Sequence, residues 1–314
     1  MTGFFVDETV NIDEYVENVY SDNKYEVETF TSRFRVKAKQ SQSLANNYWD
    51  NLLGSDFLKT LTSGISQYVN RDLKRVRIDP SVGETKIKQK ADSCQNSNSS
   101  LFLKLPRADE LPQKQKSFTW LVKRAFDWLA ALTILIVISP VMMALAATIA
   151  FTSSGPILFS QWRVGEGGKM FKIIKFRSMV TNADQLHAQV MAGQTGLHKC
   201  EDDPRVTAVG RWMRKYSLDE LPQLFNVLRG EMSLVGPRPW ALYDALRISG
   251  NAKRRLNSLP GVTGAWQVSA RSTMLDIDAV TECDLSYLRT WSLWSDLKIL
   301  LMTVPKVLSG FGAC

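Results

Sequence analysis

The chain has 314 residues, room for one large domain or two smaller ones. Its formal charge of +8, from 39 Lys and Arg against 31 Asp and Glu, favours anionic partners such as nucleic acid, anionic lipid headgroups or phosphorylated substrates, without choosing among them. The four cysteines (Cys94, Cys200, Cys283, Cys314) lie far apart with no Cys-x-x-Cys spacing, which excludes a zinc ribbon or a disulfide framework.

Residues 1–90 read as a polar, soluble extension. Met1 and its neighbours carry acids (Asp7, Glu8, Asp13, Glu14) and no signal peptide, so the N-terminus is expected in the cytoplasm. One amphipathic helix is expected within about 47–74, where Tyr48, Leu52, Leu53, Phe57, Leu58, Leu61 and Ile65 recur at near-helical spacing. Residues 91–117 read as a linker, too polar to pack. No chemistry is legible before residue 115.

Residues 118–152 form the membrane element. Trp128 to Phe151 is a run of 24 residues without a charge, enough for a helix to span roughly 30 Å of hydrocarbon. Pro140, after Ser139, interrupts that run and costs roughly 3 kcal/mol in a straight helix. Basic residues stand on both flanks (Lys114, Lys116, Lys123 and Arg124 before; Arg163, Lys169, Lys172 and Lys175 after), and either flank resists translocation. A kinked spanning helix and a re-entrant helix bent at Ser139-Pro140 both satisfy these residues.

Residues 153–314 carry the chemistry. Gly155 to Gly165 reads as a strand and turn, with Lys169 to Lys175 as the second strand of a hairpin; Gly165, Gly167 and Gly168 lack the Gly-Lys-Ser/Thr ending of a Walker loop. Lys175 and Arg177 are expected to approach a site built elsewhere. That site centres on the adjacent carboxylates Asp219 and Glu220, set among Arg214, Arg229, Arg238 and Arg271. Carboxylates beside guanidinium groups suit phosphate chemistry: an acid attacks or holds a metal while the arginines take phosphoryl oxygens. A capping box at Ser217-x-x-Glu220 is disfavoured by Pro222, which fits better at the third position of a helix capped by Asp219. Leu221, Leu224, Phe225 and Leu228 would then form its buried stripe. Near the C-terminus, Trp291, Trp294, Leu297, Leu300 and Leu301 share a helical face suited either to the headgroup layer or to the core. His198-Lys-Cys200 is a weak metal fragment.

Taken together, Lys123-Arg-Ala-Phe-Asp127, Ser139-Pro140, Phe159-Ser-Gln-Trp-Arg-Val-Gly165, Phe171-Lys-Ile-Ile-Lys-Phe-Arg-Ser-Met179, Asp203-Pro-Arg-Val-Thr207, Ser217 to Asn226, Met232 to Pro239 and Pro260-Gly-Val-Thr-Gly264 resemble the bacterial sugar transferases, monotopic polyprenyl-phosphate phosphoglycosyl transferases, over about 119–314. The resemblance implies an α-dominant α+β fold: a re-entrant helix kinked at Ser139-Pro140 in the cytoplasmic leaflet of the inner membrane, a small β-hairpin and amphipathic surface helices. It implies that Asp219 attacks the β-phosphate of a UDP-sugar, releasing UMP, and that polyprenyl (undecaprenyl) phosphate takes up the phosphosugar, the first step of exopolysaccharide, capsule or glycan assembly. Glu220 is expected to hold Mg²⁺, with Lys175, Arg214, Arg238 and Arg271 on phosphate oxygens. Ala270-Arg271 stands where relatives usually have Gly-Arg. The implied partners are the UDP-sugar, the polyprenyl phosphate, the bilayer, and a second copy or downstream glycosyltransferases, but no nucleic acid. A non-catalytic, basic, membrane-tethered protein binding anionic lipid or nucleic acid explains the charge but leaves Asp219-Glu220 unexplained.

Overall fold

The computed structural model describes residues 25–28, 75–106, 118–190, 203–248, 250–269 and 276–310. The chain divides into two compact units, Met1–Phe102 and Leu103–Cys314.

In the first unit, β1 (Tyr25–Glu28), β2 (Arg75–Ile78) and β3 (Ser100–Leu103) form a three-stranded sheet in that order, β1 antiparallel to β2. Helix α1 (Glu84–Asn96) precedes β3 and buries Ile87, Ala91 and Cys94. The expected linker is therefore structured up to about residue 103. Three apolar residues at i, i+4 and i+7 suffice to seat a helix whose other positions are polar, and Asn98, at φ 53, turns the chain into β3. Residues 107–117 and the expected helix at 47–74 lie outside the described residues.

The second unit is mostly helical. Helix α2 (Phe118–Thr152) runs 35 residues with Pro140 inside it. Proline has no N–H for the Ile136 carbonyl, and Ser139 supplies the substitute, its Oγ donating to Ile136 O at 2.8 Å. Ala131, Leu135, Leu145 and Ile149 make a buried stripe on both sides of Pro140, while Leu129, Ile136, Val137, Met143 and Phe151 stay exposed. The N-terminal end of α2 is anchored by charge. Lys123, only 2% exposed, reaches Asp296 at 2.7 Å, and Asp127 accepts from Ser233 Oγ at 2.7 Å. The Lys123-to-Asp127 motif thus ties α2 to Asp296 and Ser233 of the same unit.

The hairpin appears as expected: β4 (Leu158–Val164) pairs antiparallel with β5 (Met170–Phe176), Phe159 opposite Lys175. There follow α3 (Ala183–Val190), α4 (Ala208–Lys215), a single 3₁₀ turn at Leu218–Glu220, α5 (Gln223–Leu228), β6 (Ser233–Val235), α6 (Leu242–Arg247) and a 3₁₀ segment at Gly250–Asn257. Strand β7 (Gly261–Thr263) pairs parallel to β6, and α7 (Ala265–Ser269), α8 (Ile277–Arg289) and α9 (Leu293–Ser309) complete the unit. The main core joins Ala131 and Leu135 of α2 to Phe171, Ile173, Leu224, Val227 and Leu288.

Two expectations are corrected here. Asp219 does not cap a helix: it lies inside the 3₁₀ turn, and Pro222 directly precedes α5, so the missing proline N–H falls in the break between the two elements. Phe225 is 43% exposed, and α5 instead buries Gln223, Leu224, Asn226 and Val227. The C-terminal aromatic face is divided. Trp291 packs on the core and donates to Asp296 at 3.2 Å, while Trp294, Leu297 and Leu301 are exposed along α9.

Candidate active site

Three elements carry the site. Strand β5 carries Lys175, the 3₁₀ turn carries Asp219 and Glu220, and the loop after β6 carries Arg238. Asn226, fully buried on α5 just after the turn, ties that helix to β5. Its Oδ1 accepts from the Ile174 amide at 3.0 Å, and its Nδ2 donates to the Lys172 carbonyl at 2.9 Å. The turn begins at Ser217, held at φ 54, a left-handed conformation that costs a non-glycine residue on the order of 1 kcal/mol and gathers at functional sites.

The loop after β6 is set by backbone contact. A Cβ on Gly261 would meet the Gly236 nitrogen at 2.1 Å, so only glycine allows β6 and β7 to meet there. Pro237 and Pro239 then flank Arg238. Its carbonyl accepts from Arg255 at 2.6 Å, and the Pro239 carbonyl accepts from Arg163 at 3.2 Å.

These constraints converge on Glu220. Lys175 Nζ and Arg238 Nη2 both reach Glu220 Oε1 at 2.7 Å, and Arg238 Nη1 reaches Oε2 at 3.3 Å. Asp219, 6% exposed, differs: no hydrogen bond engages its carboxylate among the described residues. Burial pushes the Asp219 carboxyl above the ordinary carboxylate range; Lys175 pulls it back and Glu220 pushes it up again. Burial likewise lowers the Lys175 ammonium, opposed by Glu220. Burial pulls on Arg238 too, but Glu220 and Asp219 outweigh it and hold that guanidinium above its usual value. Arg163, beside the same group of charges, is drawn down by burial to about 10.

Arg214, at the end of α4, donates from Nε to Ser178 Oγ at 2.9 Å, and its charge bears on Asp219. Gly210 makes that approach feasible, since a Cβ there would meet the Ser178 carbonyl at 2.0 Å. Three of the expected residues, Lys175, Glu220 and Arg238, thus meet directly, with Asp219 next to Glu220 in the same turn and Arg214 at the margin. Arg177 turns away and donates to Ser153 O and Oγ at 2.8 and 2.7 Å. Arg229 is exposed at the end of α5. Arg271 and the His198-to-Cys200 fragment lie outside the described residues.

Sequence reasoning counted Arg163 only among the basic residues flanking the apolar run and gave neither Arg163 nor Arg255 a role at the site. Arg163 sits in a motif, Phe159 to Gly165, whose regular strand pattern hides it. Arg255 belongs to a basic run, Lys253-Arg-Arg255, that reads as a solvated surface.

As a metal site the donor chemistry fits Mg²⁺, which takes one or two carboxylates and completes its shell with phosphate oxygens and water. Asp219 and Glu220 are hard oxygen donors side by side, and no cluster of three His, Cys, Asp or Glu exists among the described residues.

Comparison with known proteins identifies the family. Residues 118–310 match the family described as bacterial sugar transferase. The chain is similar to the galactosyl transferase CpsE of Streptococcus agalactiae, 43% identical over 196 residues that cover 62% of this chain and 43% of that protein. It is equally similar to the undecaprenyl-phosphate galactose phosphotransferase of Salmonella typhimurium, 43% identical over 199 residues that cover 61% of this chain and 41% of that protein. The exopolysaccharide production protein ExoY of Sinorhizobium fredii is 41% identical over 195 residues, 59% of this chain and 84% of the relative. The match thus spans less than half the length of the first two relatives and most of the third. With the family matched from the first turn of α2 to the end of α9, around the buried carboxylate pair and its cations, the chain belongs to the bacterial sugar transferase family.

Proposed function

We propose that the chain is a phosphoglycosyl transferase that moves a sugar-1-phosphate from a UDP-sugar to polyprenyl phosphate and releases UMP. The observation that carries this reading is the division of labour within the acidic pair. Glu220 takes the cations, and Asp219 is left buried with no hydrogen bond to its carboxylate among the described residues. A carboxylate in a buried turn that its neighbour's ion pairs leave out is poorly placed as a structural element and well placed as a nucleophile. The names of the relatives, an undecaprenyl-phosphate galactose phosphotransferase among them, support the same chemistry.

In the proposed sequence an Asp219 carboxylate oxygen forms a bond to the β-phosphorus of the donor, and the bond from that phosphorus to the bridging oxygen breaks. UMP departs with the bridging oxygen, leaving a phosphosugar on Asp219. An oxygen of polyprenyl phosphate then attacks the same phosphorus and frees the carboxylate, giving polyprenyl-diphosphate-sugar. Lys175, Arg214 and Arg238 bind phosphate oxygens and stabilise the charge of the transition state, and Arg271 is assigned there by resemblance alone. Glu220, with Asp219 beside it, would hold Mg²⁺, which when bound offsets the charge of the diphosphate.

We read α2 as re-entrant, bent at Ser139-Pro140, with both flanks on the cytoplasmic face of the inner membrane. Two features support this. The buried stripe on either side of Pro140 packs against one catalytic body, and basic residues flank both ends. The exposed apolar face of α9 suits the headgroup layer of the same leaflet. The proposed place of the reaction is the initiation of an exopolysaccharide or similar glycan.

The test is UMP release from a panel of UDP-sugars by membrane-inserted protein, with and without chelation of divalent metal. The expected result is metal-dependent release that Asp219→Asn abolishes while the variant remains in the membrane. Full activity of that variant would rule out the covalent route.

A further inference from the structure

Leu103–Pro106 opens the second unit, ahead of the stretch that the family match covers. Pro106 disfavours a helix at Leu105, and Lys104 to Pro106 form neither helix nor strand. This strap lies against the 3₁₀ turn Glu166–Gly168, which joins the two strands of the hairpin. Gly168, at φ 83, makes the approach feasible: a Cβ there would stand 2.5 Å from the Leu103 carbonyl oxygen and 3.2 Å from Leu105 Cδ1. The Pro106 carbonyl then accepts from Asn257 Nδ2 at 2.9 Å. Asn257, only 6% exposed, ends the 3₁₀ segment Gly250–Asn257.

The stretch from Arg255 to Thr263 holds the loop that carries Arg238. Besides the bond from Arg255 to the Arg238 carbonyl, the Gly261 amide donates to the Pro237 carbonyl at 3.0 Å, and the Gly236 amide donates to the Thr263 carbonyl at 2.9 Å. Within the stretch, Ser258 Oγ donates to the Arg255 carbonyl at 2.7 Å. Asn257 stands in the chain between Arg255 and Ser258, so its bond to the strap bears on the backbone from which the Arg255 guanidinium reaches Arg238. Contacts therefore run from Pro106 to Asn257, along the backbone to Arg255, on to Arg238, and from Arg238 to Glu220.

We propose that Asn257 is a positioning residue for Arg238 and that the strap Leu103–Pro106 is its outer support. A segment that lies outside the family match thereby contributes to turnover. This rests on the transferase reading above for the task of Arg238, and adds to it what keeps Arg238 in place.

Initial rates of UMP release by the full chain in nanodiscs, with UDP-galactose and UDP-glucose among the donors, test this as a double-mutant cycle. Asn257→Ala removes the donor to the strap. Leu105→Ser loosens the strap and leaves Asn257 intact, which keeps the test alive if the first variant fails to accumulate. Each is expected to lower kcat/KM for the UDP-sugar by about tenfold. Asn257→Gln keeps an amide donor and should recover part of that loss, whereas Asn257→Asp sets a carboxylate against a carbonyl and should not. In an Arg238→Lys background either variant should cost less than about twofold, because the guanidinium to be placed is gone. A role confined to stability would not depend on residue 238. Wild-type kcat/KM in both single variants would overturn the proposal, and so would the same loss in the Arg238→Lys background as in the wild type. Either result beside normal wild-type turnover removes the strap's role alone. A wild-type chain that releases no UMP from any donor overturns the transferase reading, and this role with it.

Discussion

Arg255 holds the backbone of Arg238: its Nη2 donates to the Arg238 carbonyl oxygen across 2.6 Å. The same guanidinium lies 4.0 Å from the Trp240 ring and pairs through Nε with Asp284 at 2.7 Å, both partners almost fully buried. With Arg163 on the next carbonyl, the loop that aims Arg238 at Glu220 is held from two sides. Removing Arg255 alone, as Arg255→Met, leaves Asp284 buried without its partner and should cost about 3–5 kcal/mol of stability. Arg255→Met with Asp284→Leu removes both charges and should recover much of that loss, since apolar replacement of a buried pair is often neutral. The double variant should nevertheless turn over at least about tenfold more slowly, because Arg238 is no longer held. Thermal denaturation beside initial rates separates the two effects, and a stable double variant with wild-type rate would remove the positioning role.

The pH profile reports on Asp219. Burial raises its pKa, so the fraction in the attacking, ionised form is lost as pH falls through that raised value. Lys175 is the strongest influence holding the pKa down. Lys175→Met should therefore move the acid limb of UMP release to higher pH, in addition to lowering the maximum rate. A limb that stays in place, or moves to lower pH, contradicts the assignment of that limb to Asp219.

The carboxylate pair, its cations and the hairpin were legible in the chain because each is local: an Asp-Glu step, a Pro-Arg-Pro step, two β-prone runs with glycines between. Contacts across many residues were not. Nothing near Asn226 indicates that its amide bridges α5 to β5, and Arg177 was expected at the site because strand periodicity does not reveal the turn toward Ser153 after β5 ends. The capping reading of Asp219 went astray because Pro222 fits the start of a helix from two different registers. The left-handed Ser217, which selects the 3₁₀ turn, carries no glycine or asparagine to announce it. Residues 91–103 were read as too polar to pack, since Ala91, Cys94, Leu101 and Leu103 are a faint signal in a stretch rich in Ser and Asn.

Asp203 and Arg205 offer a second titration with the opposite sign. Arg205 donates to both oxygens of the Asp203 carboxylate, at 2.8 and 2.6 Å, and holds it below the ordinary carboxylate range. A depressed native pKa stabilises the fold above the unfolded value, and that stability is lost as pH falls through the native one. Arg205→Met should cost about 3–5 kcal/mol at neutral pH, with the penalty shrinking in acid as the carboxyl protonates. Denaturation of both proteins across that range is the check. An equal difference at every pH would mean that the pair is not what stabilises this turn.

The proposed re-entrant path has a direct topological consequence. Single cysteines placed at Phe118 and Thr152, the two ends of α2, should react with an impermeant thiol reagent from the same side of the membrane, the cytoplasmic one. Labelling from opposite sides would show that the helix spans. Ser139→Ala should weaken the helix by about 1 kcal/mol, because the Ile136 carbonyl loses the donor that replaces the proline N–H.

Intact-protein and peptide mass spectrometry after brief exposure to UDP-sugar, with no lipid acceptor present, addresses the nucleophile itself. A phosphosugar mass on the peptide bearing residue 219, absent in Asp219→Asn and discharged when polyprenyl phosphate is added, is the result expected. A competent preparation that releases UMP yet carries the adduct on another residue, or carries none at all, would show that Asp219 does not form the bond.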